Sequence, residues 1–313
     1  MKILITGAAG FIGSHLYEKL KKDHDVRGID NWFHASSNPI NKEIETADIV
    51  DMMAIDELVK WCDVVYHLAA QIHVDRSIKD PHQTIDINVI GTLNVLEAVR
   101  KYNKKMVFAS SSEVYGTSNP NACDFEFISK DEIKQLGMPE THFLDSQSPY
   151  AASKVAGDRL CYSYWKTYGT KVAILRNFNT FGPFQADDSY GGVIAIFVRQ
   201  ALSGEPITIF GDGEQERDYM EVRDALRGYE LCVEKELWGR PINIGTGKTI
   251  KIKKLAEMIK EITGSKSPIV HKDPRPGEVQ RLCADITMAK GLGFEPTTNF
   301  EEDLKKYINW YKL

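Results

Sequence analysis

Short unbroken apolar runs alternate along the first half of the chain with longer stretches whose apolar residues recur every three or four positions. Lys2–Thr6 reads as a strand buried on both faces, followed by a helix that begins near Phe11 and continues through His15–Lys22. Asp25–Asp30, Asp63–Ala69 and Lys105–Ser110 are further short strand-like runs. Between them, Thr84–Lys101 carries Ile85, Val89, Leu93, Leu96 and Val99 at helical spacing. Strands alternating with helices predict a parallel sheet covered on both faces, joined by right-handed crossovers. A helix over 150–168 and a strand over Val172–Arg176 extend the series.

Two stretches break the rhythm. Residues 117–149 are polar, contain Pro120, Gly137, Pro139 and Pro149, and show weak periodicity; a connection of that length is usually functional. After residue 177 the texture changes, with Asn, Gly, Pro and Asp clustered through 177–192. A helix at Val193–Leu202, a strand at Ile207–Phe210, a Gly-Asp-Gly turn at 211–213, and helices at Lys251–Thr263 and Asp303–Tyr311 follow. The fold class expected is α/β: a doubly wound parallel sheet over residues 1–176, rejoined by parts of 207–245, and a smaller mixed α/β lobe over 177–313.

Composition narrows the function. With 313 residues the chain is long enough to bury a sizeable core, and its 27% charged and 42% hydrophobic content is ordinary for a globular protein. A net charge of −5 gives no general pull toward nucleic acid or anionic membrane. Phosphates must therefore be held by local cations and backbone amides. No apolar stretch approaches the length of a membrane span, and the start at Met1 runs straight into a strand, so no leader is expected. Cys62, Cys123, Cys161, Cys232 and Cys283 form no CxxC pair, which predicts reduced thiols, no metal site and a cytoplasmic location.

Gly7-Ala8-Ala9-Gly10-Phe11-Ile12-Gly13 follows a strand and opens a helix. Glycines there make a tight turn, admit a pyrophosphate and let the helix sit close to the sheet, while the helix N-terminus offers amides and positive charge. Asp30 ends the next strand, where an acid accepts hydrogen bonds from adenosine ribose hydroxyls and repels a 2′-phosphate. The expected cofactor is NAD rather than NADP. Tyr150 and Lys154 stand four apart on one helical face. An ammonium and a cationic nicotinamide both stabilise phenolate, so the pair makes a base from a group with a pKa near 10. Ser110-Ser111-Ser112-Glu113 follows directly on a strand, at the carboxyl end of a parallel sheet where ligands sit.

With these elements in order, the sequence resembles the extended short-chain dehydrogenase/reductase family, and more narrowly its NAD-dependent nucleotide-sugar epimerases and dehydratases. The resemblance covers almost the whole chain, through GAAGFIG at 7–13, HLAA at 67–70, SSSEVYG at 110–116, YAASK at 150–154, RNFNTFGP at 176–183, GDGEQERDY at 211–219 and RPGEV at 275–279. It implies a Rossmann-type domain in which Gly7, Gly10, Phe11, Ile12 and Gly13 bind the pyrophosphate. Asp30 and Asn31 would take the ribose, Asp48 and Ile49 face adenine, and Leu68, Ala69 and Ala70 line the cleft. Tyr150 would be the base for oxidation at sugar C4, Ser111 its partner and Lys154 its electrostatic helper and a cofactor contact. Asn179, Arg217 and Arg275 would hold the nucleotide diphosphate. A homodimer is expected from the same resemblance.

The reaction turns on Glu113. A carboxylate there is what 4,6-dehydratases use to remove the C5 proton of a 4-keto sugar, whereas simple epimerases usually carry a small or neutral residue. The segment Gln71–Ser77 resembles the sugar-contacting loop of dTDP-glucose 4,6-dehydratases, which adds His73, Arg76 and Ser77 as substrate residues. Ser112 also faces the sugar in this reading, but those enzymes have an Asp at that position, and Ser is a poor general acid. The expected activity is that of a nucleotide-hexose 4,6-dehydratase. The alternatives are a UDP-hexose 4-epimerase or 4-dehydrogenase, and a UDP-glucuronate decarboxylase. From a different class, a protein that senses NAD(H) without turnover is disfavoured by the Ser111, Tyr150 and Lys154 set.

Overall fold

The structure is a computed structural model that describes residues 1–33, 43–117, 137–188 and 191–313. In chain order its strands are β1 (Lys2–Thr6), β2 (Asp25–Asp30), β3 (Glu45–Thr46), β4 (Val64–His67), β5 (Lys105–Ser111), β6 (Lys171–Asn177), β7 (Asn179–Phe181), β8 (Ile207–Phe210), β9 (Glu216–Glu221), β10 (Pro241–Ile244), β11 (Thr249–Lys251), β12 (Ile269–Lys272) and β13 (Arg281–Leu282). Seven of them form one sheet, ordered β10-β6-β5-β4-β1-β2-β3, and every pair in it is parallel.

The apolar runs explain the sheet. Ile3 and Ile5 point to one face with Val107, Leu175 and Ile244, under the helices Phe11–Leu20 and Val222–Glu234. Leu4 points to the other face with Val65, Phe108 and Ile174, where the helices Met52–Trp61, Thr92–Lys101 and Pro149–Tyr168 pack. A strand buried on both faces has no room for alternation, which is why these segments read as continuous hydrophobic runs. The chain winds outward from β1 in both directions, so the carboxyl ends of β1 and β4 open at a switch point.

The second lobe carries its own core around Phe197, Ile207, Leu255, Leu304 and Tyr307. It is built on a small sheet of β7, β9, β11 and β13 and on the pair β8 and β12. Of the segment 117–149, Met138 forms an isolated bridge to Ala284; residues 118–136, Cys123 among them, lie outside the described residues. Among the described residues no helix is long and apolar enough to cross a membrane, and no cluster of acid, His and Cys residues is arranged to hold a metal ion.

The helix expected over Thr84–Lys101 is instead three pieces: Pro81–Ile85, a π-helical turn at Asp86–Gly91, and Thr92–Lys101. The wide turn sets Asn88 inward, where its Nδ2 donates to the Ser153 hydroxyl at 2.8 Å and to the Gln71 carbonyl at 2.9 Å. Such insertions mark positions where side-chain geometry overrides helical regularity. The helix Val222–Glu234, which lies outside the elements expected from the sequence, carries Val222, Ala225, Leu226, Tyr229 and Cys232 at helical spacing and packs against β6 and the helix Phe11–Leu20.

The helix Pro149–Tyr168 is locally well specified. Ser148 caps it by accepting from Ala151 N–H at 3.1 Å, Pro149 occupies its first turn, and Gly169 ends it with φ +67°. A buried ion pair fixes the helix to the sheet: Arg176 Nε and Nη2 reach the two Asp158 oxygens at 2.9 and 3.1 Å. Arg176 also donates to Tyr115 Oη at 2.9 Å, and Ser110 donates to Asp158 at 3.0 Å. Burial pushes the Asp158 carboxyl up, but Arg176 and Arg159 together bring it below its ordinary value. Replacing Asp158 by Ala strands the Arg176 cation inside the protein. A loss of about 3–5 kcal/mol of unfolding free energy is expected in denaturant melts.

Candidate active site

The three glycines of the first loop are needed for different reasons. Gly7 has φ +71°, and a Cβ on it would lie 2.6 Å from the Ala69 amide. A Cβ on Gly13 would lie 2.1 Å from the Gly7 carbonyl, so only glycine lets the helix approach the strand. A Cβ on Gly10 would meet nothing nearer than 3.2 Å, and Gly10 lines the large cleft above the sheet. That open side is where a pyrophosphate can reach the backbone. Gly10 is also the N-cap of the helix Phe11–Leu20, which no side chain caps.

Asp30 stands at the end of β2, accepting from Ala9 N–H at 3.1 Å and Trp32 N–H at 2.9 Å. Burial raises its carboxyl pKa, and the Trp32 and Ala9 amides pull it back. Asn31 Nδ2 donates to Asp48 at 2.9 Å, and Ile49 lies beside them. Loop, acid and this polar pair make a continuous wall that fits the phosphates, ribose and base of a dinucleotide. Gly7–Gly13, Asp30, Asn31, Asp48 and Ile49 would hold it.

The cleft has a volume of about 1010 Å³ and continues past Leu68, Ala69 and Ala70 to the carboxyl ends of β5 and β6. There it meets Ser111, Ser112, Glu113, Tyr150 and Lys154. Ser111 ends β5 and accepts from Glu113 N–H at 3.2 Å. Tyr150 is 8% exposed, and the Ser111 hydroxyl is close enough to act on its phenol. Burial pushes its phenol up to about 12, Ser111 draws it down, and the nearby Glu113 charge raises it again. Lys154 lies one turn on and donates from Nζ to the Ala109 carbonyl at 2.8 Å. Glu113 is half-buried at the cleft; burial raises its carboxyl pKa, Arg217 lowers it and Glu278 raises it.

Burial lowers the Lys154 ammonium to about 8. The unfolded chain, with a lysine near 10.4, binds more protons between the two values, so stability rises with pH across that window. Relative to Lys154→Met, the wild type is expected to gain up to about 3 kcal/mol between pH 8 and pH 10, read from urea melts without cofactor.

His73, Ser112 and Asn179 line the cleft, whereas four other residues expected at the substrate lie around it without forming its wall. Ser77 is fully buried and accepts from the backbone N–H of Tyr150 at 3.0 Å, which ties it to the start of the Tyr150 helix. The Arg76 guanidinium stacks 4.1 Å over the Phe33 ring and donates to Gln83 at 3.1 Å. Arg217 is 3.9 Å from Glu278 and close enough to Glu113 to act on its charge. Arg275 stacks 4.2 Å over Phe210 and stands 3.7 Å from Asp75. Each guanidinium is thus held at the rim by a carboxylate or a ring.

The structure also brings in residues that the sequence reading did not single out. Asn177 and Tyr229 line the cleft beside Tyr150. Phe184, held at φ +66°, packs edge-on against Trp310, 5.0 Å between centroids, and both rings line the far wall with Tyr311. Asn177 sits inside the RNFN run and so had a local signal; the C-terminal aromatics had none.

Comparisons agree with this geometry. A Methanocaldococcus jannaschii protein with a provisional UDP-glucose 4-epimerase name is 39% identical over 318 residues, which span 99% of this chain and 98% of its own. A Bacillus cytotoxicus UDP-N-acetyl-alpha-D-glucosaminuronate decarboxylase is 36% identical over 324 residues, again 99% and 98%. Among solved structures, the Thermotoga maritima UDP-glucose 4-epimerase with UDP-glucose superposes with a TM-score of 0.89 at 34% identity, covering 100% of this chain and 99% of that one. The model of the NAD dependent epimerase/dehydratase family matches residues 3–245, more than half of the sequence. The chain belongs to the NAD dependent epimerase/dehydratase family.

Proposed function

We propose that the protein oxidises a nucleotide sugar at C4 and then dehydrates the 4-ketose, as a nucleotide-hexose 4,6-dehydratase. Relatives named for UDP-sugar reactions support the substrate class. The observation that carries the finer reading is Glu113, a carboxyl group facing the same cleft as Tyr150 and close enough for their charges to interact.

Bound NAD supplies a hydride acceptor for the C4 carbon and returns that hydride at the end. Tyr150 Oη takes the C4 hydroxyl proton, with Ser111 beside it. Lys154 adds positive charge that favours phenolate as the proton moves. The ketone at C4 acidifies C5–H, and Glu113 accepts that proton. The hydroxyl on C6 leaves with a proton as water, and Glu113, now protonated, is the donor at hand. Burial holds its carboxyl above the ordinary glutamate value, which favours its returning the proton it has taken. With the hydride delivered to C6, C5 takes back a proton from the Tyr150 phenol, so Tyr150 keeps no net proton change and the product is a 4-keto-6-deoxy sugar.

A second reading, C4 epimerisation, is favoured by Ser112 standing where a dehydratase general acid would be, and by the epimerase names among the relatives. A uronic-acid decarboxylase has support in the Bacillus cytotoxicus relative; Ser112-Glu113 is shared with that reading, which needs a cation such as His73 or Arg76 for the sugar carboxylate. The test is incubation with UDP-, dTDP-, GDP- and CDP-hexoses and UDP-glucuronate, followed by mass and sugar NMR. A product lighter by one water supports dehydration. Unchanged mass with inverted C4 makes the protein an epimerase, loss of CO2 makes it a decarboxylase, and NAD binding without any sugar turnover leaves a sensor.

A further inference from the structure

Asn177 ends β6 in register with Ser111 at the end of β5. Its side chain lines the cleft at the reactive end, beside Tyr150 and Tyr229. Its Nδ2 donates to Tyr229 Oη at 2.7 Å, while its Oδ1 is buried in the cleft wall and takes no hydrogen bond. Tyr229 is itself fully buried, edge-on to Tyr66 at 6.2 Å, so the hydroxyl that accepts from the amide is held in place. The amide is thereby turned with its acceptor oxygen unpaired. A buried acceptor without a donor is costly and is kept where a ligand completes it.

The phosphate loop and Asp30 mark the adenosine end of the cleft, and Ser111, Tyr150 and Lys154 mark the nicotinamide end. At that end the cofactor carries one kind of N–H donor, the carboxamide on the nicotinamide ring. We infer that Asn177, oriented by Tyr229, is the acceptor for that carboxamide N–H. Holding the amide fixes the rotation of the ring about its ribose bond, and so decides which ring face is turned toward Tyr150. This holds for any of the reactions considered above, because it concerns the cofactor alone.

The test is equilibrium titration of the intact protein, without sugar, by tryptophan fluorescence. The two ligands are NAD and 3-acetylpyridine adenine dinucleotide, which keeps the carbonyl but lacks the N–H. The wild type is expected to bind NAD roughly fivefold to tenfold more tightly than the analogue, the worth of one hydrogen bond. Asn177→Leu should weaken NAD by about that factor and leave the analogue unchanged, erasing the discrimination. Tyr229→Phe, which removes a single hydroxyl, should reduce it without Asn177 being altered. Equal binding of the two dinucleotides by the wild type, or discrimination that survives Asn177→Leu, would overturn the inference. So would a variant that loses affinity for a sugar nucleotide while both dinucleotides bind as before, since Asn177 would then face the sugar. Failure of the wild type to bind either dinucleotide would overturn the cofactor assignment as well, so the two failures are distinguishable.

Discussion

Tyr150→Phe is expected to lower kcat by about 10²–10⁴-fold, the usual worth of a positioned general base. The substitution removes one oxygen and nothing else. Tyr150 is buried against Ser77 and Ser111, and its ring and backbone N–H remain to hold the helix start. The melting temperature and NAD affinity should therefore stay close to wild type, and the loss should fall on kcat with little change in KM. In the unliganded protein the phenol is pushed up to about 12, so it is protonated at neutral pH. Lys154 is already in place there, so the positive nicotinamide must bring it down before it can act, and the rate should rise with pH as it ionises. Single-turnover measurement of reduced nicotinamide absorbance on adding sugar nucleotide isolates the step. A variant that still reduces the cofactor at near wild-type rate would remove Tyr150 from the role of base.

Glu113→Gln is expected to separate two steps that Tyr150→Phe stops together. Gln keeps the size of the side chain and its place at the cleft but cannot take a proton. If Glu113 removes the C5 proton, oxidation at C4 proceeds, reduced nicotinamide accumulates, and release of water falls by about 10²–10⁴-fold. The pH profile carries a second sign. A base acts only when deprotonated, and burial raises the Glu113 carboxyl above an ordinary glutamate. The rising limb of kcat/KM should thus lie above the usual carboxylate range near 4.3 and vanish in the variant. Product formation within a few fold of wild type would instead make Glu113 a binding residue and favour epimerisation.

What the sequence made legible was what is encoded locally. The glycine loop could be read because its requirements arise within a few residues: a positive φ at Gly7 and a helix pressed onto the Gly7 carbonyl at Gly13. The Tyr150 helix could be read because Ser148, Pro149 and Gly169 set its ends. Ser111 and Asp30 could be read because each ends a strand of a parallel sheet. The arginines expected at the substrate were not placed by spacing alone. Whether Arg76 faces a sugar or stacks on Phe33 depends on a turn more than forty positions away in the chain. The helix of Ser77 packs under Tyr150, which ties a motif residue to the start of another helix. Trp310 and Tyr311 reach the cleft because the final helix, Phe300–Tyr311, packs over the second lobe, a tertiary fact with no local signature. Asn88 lay in a periodic stretch, and periodicity gives no warning of a π-helical turn.

The pairing of β6 with β10 also bears on how the molecule comes to be. β6 ends at Asn177, and its neighbour on that side is not synthesised until Pro241–Ile244. Until then a strand with an unbroken apolar run, Val172–Leu175, presents an open edge, an arrangement prone to pairing with another chain. The intervening residues build much of the second lobe, so closing the sheet carries a large loop-closure cost and should be a late, slow event. The two lobes are therefore not independent folding units laid end to end. The last strand of the larger sheet arrives only after the chain has built part of the smaller lobe, and a nascent chain halted before residue 241 would hold Ser111 and Asn177 at the end of an unfinished sheet.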